Sequence, residues 1–557
     1  MISKRKALNR IFLIGLMLFI LWFACKMIGC GHSITQSSPN IPAVSSVFPA
    51  ADSKDISLSA RVMATFDRSI DPATITDTSF ILSSAEAAVS GTITYEADAK
   101  TATFIPSKNL VYNTKYTAVL STAIKDVDGH ALAQAYSWSF TTLSLTPLEG
   151  VLDPSFGTDG VVIYNSASLL TTGETNTDDQ AKAVLVDPNG KIIVVGNSPY
   201  MYIFSTMTIW RFNSDGTLDT TFGKNGIAMS DDSLLVPNDY KYYGMAVTLD
   251  SLDRIVVAGY AAYKSNRKMV VWRFDSSGNL DAGFGGDGVV EYNCISSIDG
   301  ANAVAIDPAG RILVAGSYNS RLGLWCLNSD GTLDTLFGTN GKVTRDEMGS
   351  ANAIVIDAGG KIVVAGGETN FQMNIWRFND NGALDSTFGS SGIVTYSASC
   401  RGDAMMIDST GKILVAGYLF DYSGGTMAKK MAVWRYSSSG EADTTFGANG
   451  LFSTGEYDGA KGIVIDQYDK ILIAGTRTPP GAVYGEMALW RLNANGMSDT
   501  GFGSGGVMNW NFPNAKYTTD EYAQGESIAL DPTGKIYVAG YVSYPDSDRD
   551  VVLVKIK

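Results

Sequence analysis

Short segments in which apolar and polar positions alternate recur along the chain from about residue 41 to residue 557, each closed by a cluster of Gly, Asn, Asp, Ser or Pro. A period of two predicts half-buried β-strands, and the closing clusters predict tight turns. Between 41 and 143 such segments include Val62-Met63-Ala64-Thr65-Phe66, Gly91-Thr92-Ile93-Thr94-Tyr95 and Thr101-Ala102-Thr103-Phe104-Ile105. They predict a small antiparallel sandwich.

From residue 152 the pattern repeats. Asp-x-x-Phe-Gly occurs seven times, with Phe156, Phe222, Phe284, Phe337, Phe388, Phe446 and Phe502 at its fourth position. A second signature, Asp-x-x-Gly-Lys-Ile-x-Val-Ala-Gly or a variant, begins at Asp187, Asp250, Asp307, Asp357, Asp408, Asp466 and Asp531. A third, Trp-Arg-Phe-Asn or a variant, begins at Trp210, Trp272, Trp325, Trp376, Trp434 and Trp490, and survives at the end as Val554-Lys555-Ile556. Repeats of this length holding several short strands predict propeller blades. In the fourth repeat the strands fall at 351–357, 361–365, 373–379 and 392–396. The region opens with a lone fourth strand, 152–164, and ends on a third strand, so the opening strand is expected to pair beside 551–556 and cover the exposed edge. The expected fold class is all-β: a β-sandwich followed by a seven-bladed β-propeller closed by its N-terminal strand.

The segment at 41–143 resembles a bacterial Ig-like domain through FDRSIDPATI, YNTKYTAVLS, IKDVDGHAL and the closing WSFTT at 138–142. The resemblance implies a spacer or stalk, joined by the linker at 144–151. The repeats at 152–557, above all RFNSDGTLDTTFGKNGI at 211–227, resemble the delta-60 repeat of bacterial propeller proteins and, more distantly, NHL repeats. That resemblance implies a fold and no particular activity.

Composition narrows the function. Only 18% of residues are charged, Gly reaches 58 and Tyr 26, and the net charge is −14. Nucleic acid is excluded as a partner, because binding it needs basic surface. The first 30 residues read as an export signal: a basic stretch, an apolar run from Ile11 to Cys25, and Met27-Ile28-Gly29-Cys30, which resembles a bacterial lipobox with Cys30 as the acylated residue. Met27 in place of Leu and the preceding Lys26 depart from that pattern, so cleavage without lipid and an uncleaved anchor stand as alternatives. Residues 31–40 are a polar tether. A lipid anchor would be the sole membrane contact, at the bacterial cell envelope: the outer membrane or cell surface. Cleavage before Cys30 removes five basic residues and takes the net charge to −19. Beyond the leader only Cys294, Cys326 and Cys400 remain, too few and too irregular for a disulfide framework.

Residues repeated in every blade are expected to pack blade on blade. Arg211, Arg273, Arg377, Arg435 and Arg491 are expected to pair with the aspartates of the Asp-x-x-Phe-Gly turns, and Cys326 in the third repeat marks a blade that has lost the pair. The turn at 213–219 resembles a calcium loop, but Ser277, Asn381, Ser439 and Asn495 replace Asp215 in later copies, which fits an Asn/Asp turn better. Only His32 and His130 occur, both before the propeller, which excludes histidine-dependent nucleophiles and histidine-ligated metals there. No catalytic residue, metal or cofactor is assigned; carboxylate-only glycan cleavage stands as the enzymatic alternative. Arg401-Gly402-Asp403 spells an adhesion tripeptide but aligns with an ordinary strand start.

The turns on one face are short and uniform. The connections on the other, among them 165–180, 229–243, 418–430, 476–486 and 509–524, are long, varied and rich in tyrosine. Variable loops on a rigid scaffold commonly carry binding. Tyr202, Tyr243, Tyr260, Tyr318 and Tyr418 are the candidate ligand-binding residues, and Lys182, Asn302, Asn352, Asp403, Lys461 and Glu526 are expected to ring the mouth of the channel. The expected function is a binding or scaffolding platform for a glycan or an envelope protein; a purely architectural protein is the third alternative.

Overall fold

The computed structural model describes residues 41–142 and 150–557, apart from short internal stretches of which 166–177, 231–239 and 513–521 are the longest. The leader with Cys30, the tether, His32, Tyr202, Cys294 and most of 165–180, 229–243 and 509–524 lie outside the described residues. The chain divides into two compact units, Met1–Ser144 and Leu145–Lys557. Its described elements are strands, save one short 3-10 turn at Pro72–Thr74.

The first unit is a sandwich of a four-stranded sheet, ordered Val44–Phe48, Val62–Phe66, Thr101–Pro106, Gly91–Glu96, and a three-stranded sheet, ordered Phe80–Ser84, Lys115–Leu120, Tyr136–Thr141. Alternation does the work: in Val62–Phe66 every second side chain is buried. The inward residues include Phe66, Phe80, Phe104, Trp138 and Phe140, with the Phe80 ring 5.8 Å from Phe104 and 6.1 Å from Trp138.

Among its described residues the second unit holds five four-stranded antiparallel sheets and one seven-stranded sheet. Gln180–Val186, Ile192–Tyr200, Phe204–Phe212 and Ile227–Met229 form the first. The seven-stranded sheet is two such repeats joined by one long strand, Lys342–Ile356. Its first half pairs with Arg321–Leu327 and its second with Ile362–Glu368. The first strand expected to begin at residue 351 is thus continuous with the fourth strand of the preceding repeat. In every repeat the middle strands carry an unbroken run of buried residues, as in Ile255–Gly259 and Met269–Phe274, since neighbours cover both faces of each sheet there. Trp210, Trp272, Trp325, Trp376 and Trp434 fill the space between sheets and are at most 2% exposed.

The last sheet takes its fourth strand from the start of the unit. Its order is Tyr522–Leu530, Ile536–Ser543, Arg549–Ile556, Val161–Tyr164, with Val551 opposite Tyr164 and Val554 opposite Val161. This sheet also packs on the first one: Val184 N donates to Ser527 Oγ (3.2 Å), and one apolar cluster joins Ala181, Val194 and Trp210 to Tyr537, Val551 and Leu553.

Candidate functional site

The repeated residues are consumed by structure on the short-turn face. Arg211 Nε donates to Asp219 Oδ2 (3.0 Å), its guanidinium lies 4.3 Å from the Phe222 ring centre, and Nη1 donates to the Ser276 carbonyl of the next repeat (2.5 Å). Arg273, Arg377 and Arg435 repeat the set with Asp281, Asp385 and Asp443 and with the carbonyls of Ser329, Ser438 and Ala494. Each arginine thus ties its own turn to its neighbour. Where the first and last strands of the second unit pair, Lys555 stands in for it, 3.4 Å from Asp153 and donating to the Ser214 carbonyl (3.0 Å).

The third repeat corrects the expectation that its pair is lost. Cys326 leaves the arginine slot empty, but Arg311, from the preceding short turn, reaches in: Nη1 donates to Asp334 Oδ2 (2.9 Å) and Nη2 to the Asp380 carbonyl (3.1 Å). The Arg311 guanidinium holds the Asp334 carboxyl below the usual range. Burial pushes the Cys326 thiol up to about 12, so it is a packed, neutral thiol. The turn oxygens are likewise committed: Asp215 Oδ1 accepts from Thr217 N (2.9 Å), and Asn381 Oδ1 accepts from Ala383 N (3.0 Å). Asp126, Asp128 and His130 converge in the first unit, where Asp126 Oδ1 accepts the amides of Asp128 and His130 and closes the turn.

The opposite face is built around a defect. In each repeat the first strand pairs with the second, then slips by one residue, as between Ala181 and Ala183 opposite Gly196 and Val195. The same slip recurs at Gly244/Ala246, Ala301/Ala303, Ala351/Ala353, Gly402/Ala404, Ala460/Gly462 and Gly525/Ser527. It is a β-bulge, and the extra residue leaves the ladder. Glycine on the second strand permits it: a Cβ on Gly196 would stand 1.8 Å from the Gln180 carbonyl oxygen, and one on Gly417 1.9 Å from that of Arg401.

The extra residues are Lys182, Met245, Asn302, Asn352, Asp403, Lys461 and Glu526. First strands of successive sheets lie side by side, so these residues meet across sheet boundaries. Lys182 pairs with Glu526 (2.6 Å) and Lys461 with Asp403 (3.4 Å), while Asn302 and Asn352 donate to the carbonyls of Ala351 (2.8 Å) and Gly402 (2.9 Å). Six of the seven are the residues expected at the mouth. Met245 was missed because it is apolar.

Tyrosines cluster one rung beyond these residues, next to the permissive glycine. Tyr243 and Tyr260 are cross-strand partners with rings stacked at 4.8 Å, and Arg267 caps Tyr260 at 4.6 Å. Burial raises both hydroxyls, so they are neutral phenols at physiological pH. Tyr418 holds the equivalent position opposite Arg401, with Lys429 4.2 Å from its ring centre. Tyr541 does the same opposite Gln524, whose Oε1 accepts from Tyr541 (3.1 Å) and Tyr522 (2.8 Å). Tyr318 differs. It sits one residue further along its strand and packs edge-on to Trp325 at 6.3 Å, under Lys342. The adhesion-like tripeptide is folded on itself, with Arg401 Nε donating to Asp403 Oδ1 at 2.6 Å. Arg267 and Lys429, unannounced by any motif, are recognisable in sequence only once the third strands are aligned on their Trp.

Comparison with known proteins agrees with this division. The profile of a bacterial Ig-like domain matches residues 39–142. That of a domain of unknown function (DUF5122) beta-propeller matches 188–222, 253–284, 308–337, 360–388, 409–446 and 469–502. No curated protein matches. Solved structures with similar folds include a virginiamycin B lyase from Staphylococcus aureus (13% identity, 71% of this chain and 98% of that one, TM-score 0.39). Others are a polysaccharide lyase, Uly1 (10%, 72% and 98%, 0.38), and a PQQ-bound aldose sugar dehydrogenase from Streptomyces coelicolor (11%, 71% and 98%, 0.32).

Proposed function

We propose that this chain is an exported bacterial envelope protein, held by a lipid on Cys30, whose repeats form one closed seven-bladed ring of the delta-60 type that binds a glycan or an envelope protein at its long-loop mouth. Counting the two repeats of the seven-stranded sheet separately gives seven blades, and the pairing of Val161–Tyr164 with Arg549–Ile556 supports closure. The chain enters this unit at Gly150, beside Phe502 and Gly503 on the short-turn face.

The observation that carries the binding reading is the contrast in commitment between faces. Residues present in every blade are satisfied on the short-turn face, while the residues that differ from blade to blade gather at the mouth. Holding is favoured over cleavage because Asp403 and Glu526, the carboxylates at the bulge positions, are engaged by cations, Asp403 by Arg401 and Lys461 and Glu526 by Lys182. Screening the purified chain against glycans and envelope proteins, alongside a variant carrying Tyr243→Ala, Tyr260→Ala and Tyr418→Ala, tests the reading. The triple variant should lose binding; full retention at the mouth ligand's wild-type affinity defeats it.

A further inference from the structure

Four charged side chains crowd the mouth where the first strands Cys400–Ile407 and Gly459–Ile465 run side by side. Arg401 and Asp403 belong to the former, Lys461 to the latter, and Lys429 reaches in from the strand Ala428–Tyr436. Asp403 is saturated: its side chain is 5% exposed and faces Arg401 at 2.6 Å and Lys461 at 3.4 Å. Among the described residues Lys429 has no carboxylate partner. Its amine lies over the Tyr418 ring and within 3.0 Å of where a Cβ on Gly459 would stand, a space only glycine leaves open.

Three cations therefore surround one carboxylate, in a chain whose net charge is −14. The boundary between the last and first sheets lacks this surplus: Lys182 is matched by Glu526 (2.6 Å) and Arg549 by Asp178 (3.1 Å). Burial first, and then repulsion by Lys461 and Arg401 against the attraction of Asp403, makes the Lys429 ammonium give up its proton more readily than an ordinary lysine. Positive charge held by strands, half withdrawn from water and short of a counter-charge, is relieved by a bound anion.

We propose that Arg401, Lys429 and Lys461 form a carboxylate-binding subsite and that the ligand of the mouth is an acidic oligosaccharide carrying uronate groups. This rests on the binding reading above and names its ligand class. The guanidinium offers a fork of donors to a planar carboxylate, and the two ammoniums add charge. The rest of the mouth favours a sugar over an acidic peptide: the amides of Asn302 and Asn352 and the neutral phenols of Tyr243 and Tyr260 are groups that exchange hydrogen bonds with hydroxyls, and the paired rings offer a flat apolar edge to a pyranose.

Calorimetry on the full chain decides the matter with three probes: an oligogalacturonate, the same oligomer with its carboxyls reduced to alcohols, and an oligoglutamate. The oligogalacturonate should bind, weakening as salt is raised from roughly 50 to 500 mM. The reduced oligomer should bind about tenfold more weakly or worse, and Lys429→Met and Lys461→Met should each cost about tenfold for the acidic oligomer and little for the reduced one. Gly459→Ala, which pushes the Lys429 amine aside while keeping its charge, should weaken the acidic oligomer alone and serves if either lysine variant folds poorly. Equal binding of the acidic and reduced oligomers overturns the subsite and leaves the binding reading standing. Binding of oligoglutamate without oligogalacturonate overturns the sugar assignment. If none of the three binds while the wider screen yields a ligand lost in the triple tyrosine variant, this proposal falls alone; if that variant loses nothing, the binding reading falls with it.

Discussion

The two faces of the repeat unit use the same three chemical groups to opposite ends. On the short-turn face a cation lies over an aromatic ring, pairs with a carboxylate and donates to a neighbour's carbonyl, as Arg211 does with Phe222, Asp219 and Ser276. At the mouth Lys429 lies over Tyr418 at nearly the same distance, 4.2 Å against 4.3 Å, yet no carboxylate among the described residues pairs with it. A cation–aromatic contact therefore says little by itself about role. What separates structure from a site is whether the cation's remaining demands are met, and whether the arrangement recurs in each blade.

That contrast can be broken in graded ways. The largest effect should come from deleting residues 150–164, which strips the last sheet of its outer strand and the Asp153–Lys555 tie. Loss of about 5 kcal/mol or more, or an opened ring with a larger radius in solution scattering, is expected; a truncated chain that melts like the intact one refutes the closure. Next, Arg377→Ala should cost about 3 kcal/mol in denaturant melts, because it strands the buried Asp385 beside an unmatched carbonyl. Arg401→Ala, 45% exposed at the mouth, should cost less than about 1 kcal/mol while weakening ligand. Equal costs would erase the distinction between the faces.

Arg311→Ala sharpens the same point within the short-turn face. It should behave like Arg377→Ala, whereas Lys361→Ala, at the same sequence slot but 3.8 Å from Asp385, should cost under about 1 kcal/mol. Adding Cys326→Arg to Arg311→Ala should restore most of the loss. The smallest effect at neutral pH, but a growing one in acid, comes from the turn carboxylates. Thr387 and Arg377 hold Asp385 below its ordinary value, and in Asp219 and Asp443 the hydrogen bonds from threonine and lysine outweigh burial in the same direction. A carboxyl lowered in the folded state stabilises fully above its unfolded value near 3.8 and loses that contribution as pH falls through the lowered one. Melting temperature should be flat from about pH 5 to 8 and fall steeply below about 4.

Much of the fold was legible because the repeat averages out local ambiguity. One Trp-Arg-Phe run could be core or site, but six copies in step with seven Asp-x-x-Phe-Gly turns leave only blade packing. The mouth was legible in part. Lys182, Asn302, Asn352, Asp403, Lys461 and Glu526 betray themselves as variable positions between two small residues, such as Ala181 and Ala183. Arg401 was passed over because its tripeptide was set aside as an ordinary strand start, and only the fold brings its guanidinium onto Asp403. Arg311 rescuing the Cys326 blade was not readable at all: the two lie 15 residues apart, and only the fold brings the guanidinium to Asp334. Tyr318 went the other way, since a shift of one residue along a strand turns a side chain to the opposite face of the sheet.

The slip in each first strand has a consequence for how such a protein changes over generations. A residue outside the ladder contributes no rung of backbone pairing, so its identity is nearly free of the demands of folding. Seven such positions, occupied here by lysine, methionine, asparagine, aspartate and glutamate, each lie between two small residues and opposite a glycine whose missing Cβ the bulge requires. Mutation can thus rewrite the side chains presented on this face one repeat at a time while the sheets that carry them stay intact.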